Sequence, residues 1–352
     1  MLIKSTMMAT IATIGIAAAP ALAQINLSGE TAGQGSVPGT VHSHIGEVLA
    51  AKNIGNLQIQ FGQTLTNSVL NLAEGKSDIV SGPQVLPFLL SKGRGPYSKL
   101  GKKGAPLAAN LRVLFTYSFG NTILYAFDSN GVKGWTDLKG RKVYNGPPRG
   151  AALVQARQII QLMGGGKDGT DYTGVQVNWG QDIKTITDGS AEAIVLPATF
   201  PDRRVTAALA SGKITLFSAT KAIFETEQFQ KYASTPGSAP FRIPVANTGY
   251  DNVKDQVTIH SEDELFRAVS ITGAELVNKS MDEELAYQIT KAVVESLDAL
   301  KGKATWAPNV GLGVLTAIES GMCGINPLKY HPGAVRAWEE AGMKIPDCAK
   351  AK

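Results

Sequence analysis

Cysteine is nearly missing from this chain: Cys323 and Cys348 are the only two in 352 residues. Four histidines occur, His42, His44, His260 and His331, with no HExxH run and no clustered cysteine–histidine pattern, so neither a zinc centre nor any other metal is expected. A G-x-S-x-G elbow is absent, which removes the serine-hydrolase reading. Aromatic residues make up 7% of the chain and do not interleave with basic ones, so no nucleic-acid surface is indicated. Past the N-terminus no apolar run approaches the ~20 residues of a membrane span. The excess of positive charge is modest, +5, and the one basic cluster, Lys92, Arg94, Lys99, Lys102 and Lys103, is read as a solvated loop.

What is present begins with a leader. Lys4, the apolar run Met7–Ala19 and Ala21-Leu22-Ala23 form the three parts of a secretory signal peptide over residues 1–23, with cleavage before Gln24. A free, soluble protein of the periplasm is the expectation. Such a compartment permits a disulfide between Cys323 and Cys348, and spacing alone leaves that pairing open. The 38 glycines and 17 prolines suit an α/β chain with many tight loops.

One pattern occurs twice. Ile25–Leu27 is strand-like, "GQGSVPGT" is a turn, and Ile45, Val48 and Leu49 mark one face of a helix. Strand Leu57–Phe61, helix Thr64–Glu74 ending at Gly75, and strand Asp78–Ser81 follow. This is βαβαβ, the mark of a parallel sheet. The order returns as strand Arg141–Tyr144, turn "GPPRGA", a helix striped by Leu153, Ala156, Ile160 and Met163, strand Val175–Trp179, a helix through Ile183 and Ile186, and strand Ala193–Leu196. Leu111–Tyr117 and Thr122–Phe127 read as two strands split by "SFGN", a crossing between halves; Phe266–Leu276 reads as the return, followed by one helix over Asp282–Leu300. The expectation is a two-lobed α/β periplasmic binding protein fold of type II kind, each lobe a sheet flanked by helices, joined by a two-stranded hinge. Lobe 1 would hold residues 24–119 and 267–352, and lobe 2 residues 120–266.

The glycine turns sit where helices begin. There the first N–H groups lack intrahelical partners and the helix dipole places partial positive charge, so a carboxylate or phosphate is favoured. Gly33-x-Gly35-x-x-x-Gly39 is a loosened dinucleotide fingerprint, but "IQFGQTLTN" (59–67) lacks the acid that would hold a ribose. No cofactor is expected. His42 and His44 stand two apart at the start of the first helix and point to different faces, so at most one lines a cleft; His42 is carried as that candidate. His331 reads as a structural helix start and Asp137 as a turn acid. No catalytic group emerges and an enzyme is not expected.

"GQGSVPGT", "NSVLNLAEGKSDIVSG" (67–82), "VKGWTDLKGRKVYNGPPRGA" (132–151), "DGSAEAIVLPATFPDRRV" (188–205) and "KYHPGAVRAWEEAG" (329–342) resemble, in order, the TAXI branch of the solute receptors that serve tripartite ATP-independent periplasmic (TRAP) transporters. The resemblance implies a receptor whose lobes close over a small organic anion, such as a carboxylate, keto acid or acidic amino acid, and deliver it to TRAP permease subunits. Carried over by position, it implies ligand contacts from Ser36, Gly39 and Thr40, from Thr64, Thr66 and Asn67, and from Gln84. The second lobe would contribute Pro148, Arg149, Gly150 and Ala151, with Thr199 and Phe200. The chain departs from the family at "VPGTVH", where Gly-Gly-Thr and tyrosines are usual, and at Arg149-Gly150-Ala151, where hydroxyl residues are common. Arg149 there offers a bidentate donor suited to a carboxylate. The rival readings are a receptor of the same fold serving an ATP-driven importer of thiamine-precursor-like or sulfonate-like ligands, and a periplasmic enzyme or sensor domain.

Overall fold

The computed structural model describes residues 25–148, 150–314, 316 and 320–351; the leader, residues 1–23, and Arg149 lie outside them. The first βαβαβ unit is β1 (Ile25–Glu30), α1 (Val37–Ala51), β2 (Gly55–Gln60), α2 (Leu65–Ala73) and β3 (Ile79–Pro83). Helix α1 forms because Val41, Ile45 and Leu49 recur every four residues and are fully buried, while Pro38 occupies its first turn and Ser36 caps it. Helices α3 (Val85–Lys92) and α4 (Gly104–Ala108) lead to β4 (Leu111–Phe127). The basic cluster lies on and beside the 3-10 segment Gly95–Lys103 between them, and its five side chains are exposed.

The second unit comprises β5 (Lys142–Tyr144), α5 (Ala151–Leu162), β6 (Thr173–Val175), α6 (Asp182–Thr187) and β7 (Ala193–Ala198). Then come α7 (Arg203–Ala208), β8 (Ile214–Phe217), α8 (Lys221–Phe224), α9 (Glu227–Ala233), β9 (Ser238–Pro244), β10 (Val257–His260) and β11 (Leu265–Asn278). The chain closes with α10 (Glu283–Val294), α11 (Leu297–Lys301) and α12 (Pro332–Glu340).

The strands run in the order β2-β1-β3-β11-β4-β7-β5-β6, with β8 on β4, β10 on β8 and β9 on β11. Within each unit the pairs β1–β2, β1–β3, β5–β6 and β5–β7 are parallel. The two long strands β4 and β11 are antiparallel and paired from Val269↔Thr122 to Asn278↔Leu111. They belong to both halves: one hydrophobic core draws on residues 27–117 and 274–349, and two others lie on opposite faces of the second half. Alternation along β4 explains that division, since Ile123, Tyr125 and Phe127 enter one core and Leu124 and Ala126 the other. The architecture is therefore two α/β lobes on a two-stranded hinge.

Four details differ from the sequence expectations. "SFGN" does not split β4, because Phe119 and Gly120 are absorbed by a register shift opposite Ile271, between the pairs Ser118↔Thr272 and Asn121↔Ser270. Strand β6 ends at Val175, and Trp179 lies in the loop that follows, exposed. The helix expected over Asp282–Leu300 breaks after Val294, where the Ser296 hydroxyl donates back to the carbonyl of Ala292. Strands β8, β9 and β10 were not anticipated. Cys323 and Cys348 are joined as a disulfide with Cα atoms 5.7 Å apart.

Candidate functional site

Parallel strands deliver their loops to one sheet edge, the usual place for ligands in α/β sheets. In lobe 1 that edge carries the β1–α1 and β2–α2 loops, and in lobe 2 the β5–α5, β6–α6 and β7–α7 loops.

The β1–α1 turn is internally bonded. The Ser36 hydroxyl donates to the Gly33 carbonyl at 2.6 Å and accepts from the Gly39 N–H at 3.2 Å, so it is occupied as a cap. Gly39 is buried, and a Cβ there would stand 2.4 Å from the Gly33 carbonyl oxygen, so no other residue fits without moving the turn. Thr40 is half-buried behind it.

The β2–α2 loop is different. Thr64 occupies the cap position of α2 without a side-chain capping bond, and Thr64 and Asn67 are exposed with Thr66 half-buried. The Thr66 carbonyl accepts from the Tyr97 hydroxyl at 2.8 Å, which pins the first turn of α2 to the segment after α3. In lobe 2, Gly150 caps α5 with backbone alone, and Pro148, Gly150 and Ala151 are exposed. The first amides of α2 and α5, like those of α3 and α6, are thus left without side-chain caps at the loop-bearing edges.

Besides Gly39, four of the expected residues are buried: His42, Gln84, Thr199 and Phe200. His42 is fully enclosed, its Nδ1 2.9 Å from Glu275 Oε2. Gln84 is enclosed too, its amide donating to the Ser320 carbonyl at 2.6 Å and its oxygen accepting from Asn326 at 2.7 Å. The Phe200 ring lies in a lobe 2 core, parallel to Phe241 and edge-on to Phe266. Thr199 beside it is satisfied locally: its hydroxyl donates to the Pro201 carbonyl and its N–H to Asp202. Arg149 lies outside the described residues. Among the described residues, no hydrogen bond, ion pair or ring contact joins the lobe 1 candidates to those of lobe 2.

Two contributors were not singled out from sequence. Trp179, 54% exposed, lies in the β6–α6 loop on the same sheet edge as Gly150. Asn309, in the 3-10 turn Ala307–Val310 of lobe 1, donates from one amide to the carbonyls of Phe200 at 2.8 Å and Asn247 at 3.1 Å, both in lobe 2. Beside it a groove of about 440 Å³ is walled by Asp202, Arg203 and Thr206 on one lobe and Thr305 and Trp306 on the other. No local pattern marks either residue.

Charge at the β7–α7 loop is fixed internally. Arg204 Nε lies 3.0 Å from Asp202 and its Nη1 3.4 Å from Asp182. Burial opposes ionisation of Asp202, but Arg204 outweighs it and holds the carboxyl below its usual range; the same partners raise the guanidinium. Neither acid is free to act on a ligand. Among the described residues no group of three or more His, Cys, Asp or Glu is placed to hold a metal, and no helix is long and apolar enough to cross a membrane.

Among solved structures the chain is similar to the periplasmic aliphatic sulphonate binding protein SsuA of Escherichia coli, with 12% identity, 81% of each chain covered and a TM-score of 0.41. It is also similar to the periplasmic ectoine-binding protein of the TeaABC TRAP transporter of Halomonas elongata, with 11% identity, 90% of each chain covered and a TM-score of 0.43. A third is a TRAP periplasmic solute binding protein from Sulfitobacter with bound β-D-galacturonate, with 10% identity, 90% of this chain and 94% of that one covered, and a TM-score of 0.45. No curated protein matches. The family model described as the NMT1-like family matches residues 90–342, which run from the end of α3 past α12 and take in both hinge strands and all of lobe 2, so the chain belongs to the NMT1-like family.

Proposed function

We propose that this chain is an exported, periplasmic solute receptor, not an enzyme, which captures a small organic anion between its lobes and hands it to a membrane permease of the TRAP type, as a member of the TAXI branch. The observation that carries this reading is the pair of uncapped helix starts, α2 in one lobe and α5 in the other, at the loop-bearing edges of two lobes joined by a two-stranded hinge. The helix dipole and the amides of a helix start that no side chain caps favour negative charge at each end. The hydroxyls of Thr64 and Thr66 and the amide of Asn67 supply donors on one side. Gly150, with Arg149 in its family-derived role, supplies them on the other. Trp179 offers an apolar face, as small-molecule sites commonly do. Contacts made to both lobes at once favour the closed form by differential affinity.

A second reading, a receptor for an ATP-driven importer with a sulfonate-like or thiamine-precursor-like ligand, draws support from membership of the NMT1-like family. One experiment separates the two. Native mass spectrometry of the purified protein identifies any ligand carried through purification, and a thermal-shift screen then compares dicarboxylates, keto acids, acidic amino acids and alkanesulfonates. A saturating ligand at a hundred times its Kd adds about 2.7 kcal/mol of stability, easily seen as a higher melting temperature. A carboxylate hit that weakens in Arg149→Ala supports the first reading. A sulfonate hit supports the second, and no response to any acid overturns both.

A further inference from the structure

Five side chains from five segments meet inside lobe 1: Thr31 after β1, His42 of α1, Ser81 of β3, Tyr117 of β4 and Glu275 of β11, none more than 3% exposed. The Glu275 carboxylate accepts from the Tyr117 hydroxyl at 2.6 Å and the Ser81 hydroxyl at 2.7 Å on one oxygen, and faces His42 Nδ1 at 2.9 Å with the other. Thr31 and Ser81 hydroxyls lie 2.9 Å apart, so the end of β1 joins the same set. The Tyr117 ring packs on Phe119 with centroids 5.1 Å apart. Phe119 is half-buried in the crossing, laid across Gly273, where a Cβ would stand 1.9 Å from its ring.

A carboxylate this deep is costly, and apolar residues of equal volume would fill the space at equal or better stability. What the polar set provides instead is direction. It ties α1 just past its first turn, and the strand that feeds that turn, to both hinge strands at once. We propose that His42 and Glu275 are positioning residues that couple the hinge to the Gly33–Gly39 turn, so that a displacement at Phe119 is transmitted through Tyr117, Glu275 and His42 to the helix start. This rests on the reading that the turn faces the solute.

The test uses the ligand-free, full exported chain, and so stands apart from whether any acid binds. Amide hydrogen exchange is measured at residues 37–42 for the parent, Phe119→Leu, Glu275→Gln and the double variant. Loosening the hinge with Phe119→Leu should speed exchange there by about tenfold in the parent, and by less than about twofold when Glu275→Gln has cut the path. Equal effects in both backgrounds overturn the proposal, because a merely structural Glu275 would leave the two changes additive. Should Glu275→Gln fail to fold, the paired replacement His42→Leu with Glu275→Met takes its place, with the same two outcomes. A parent that ignores every acid yet shows the coupling would sink the receptor reading alone.

Discussion

Ser36 spends its hydroxyl twice inside its own turn, and that determines what its loss would do. Ser36→Ala removes the cap on the Gly39 amide and should cost about 1 kcal/mol in urea unfolding. Gly39→Ala asks more, because the new methyl meets a backbone carbonyl that is itself held by Ser36; a loss of about 1–3 kcal/mol is expected, together with weaker solute binding. The histidines set a pH dependence. His44 Nε2 lies 2.8 Å from Ser296 Oγ, which already donates to Ala292, so the imidazole must be the donor; its Nδ1 is buried without a partner. His331 Nδ1 accepts from the Gly333 amide at the start of α12. In both, burial comes first in pulling the pKa below 6.5, seconded by Lys303 at His44 and by Arg112 at His331. A depressed histidine keeps its full contribution above the unfolded value and loses it as pH falls toward the folded one. Melting temperature should therefore drop as pH is lowered below about 6.5, and His331→Asn, which retains a capping side chain, should flatten the slope. An unchanged slope in His331→Asn would remove that residue from the account.

Elements differ in how openly the sequence declares them. Helix α1 is legible because Ile45, Val48 and Leu49 fall on one helical face, and β7 because Ala193–Leu196 is an unbroken apolar run between loops. Strand β9, "SAPFRIP", hides behind two prolines and survives because it pairs only with β11, where a missing N–H can face away from the ladder. The continuity of β4 through Gly120 and Asn121 depends on its partners, not on its own residues. His42 sits in an otherwise apolar stripe and is explained only by Glu275, 233 positions away. Gly150 carries no side chain that could cap α5, whereas the missing cap at Thr64 and the occupied one at Ser36 both needed the geometry, since Thr and Ser are alike favoured caps. The C-terminal tail adds a covalent tie, since Cys323–Cys348 closes a loop of 25 positions against the strand-like bridges of Tyr330 with Val113 and Lys350. Chain-entropy reasoning assigns that closure about 3.5 kcal/mol. Cys323→Ser with Cys348→Ser should melt markedly lower than the oxidised parent, with no further loss on adding reductant. Equal melting of parent and variant would show the tail to be held by packing alone.

At the scale of the molecule, what matters is how many ties join the lobes and which of them can let go. Strands β4 and β11 are continuous and must bend rather than part. The Asn309 amide is another matter: a single side chain spans from lobe 1 to two lobe 2 carbonyls, beside a groove still open between Asp202 and Trp306. Two such hydrogen bonds are worth about 1–2 kcal/mol, enough to shift an open–closed balance by about five- to thirtyfold. Phe200 and Asn247 would regain water as partners if the lobes swung apart, so the tie favours the closer arrangement without forbidding the other. Asn309→Ala should therefore raise the radius of gyration of the ligand-free protein in small-angle scattering and lower solute affinity, because binding would then have to supply the closure that Asn309 assists. Asn309→Asp tests the same point from the other side: it keeps the shape but sets a carboxylate against two carbonyls, and should open the lobes at least as far. If both variants scatter like the parent, the bond is a fixed strut at the pivot, and the hinge strands alone decide how wide the molecule opens.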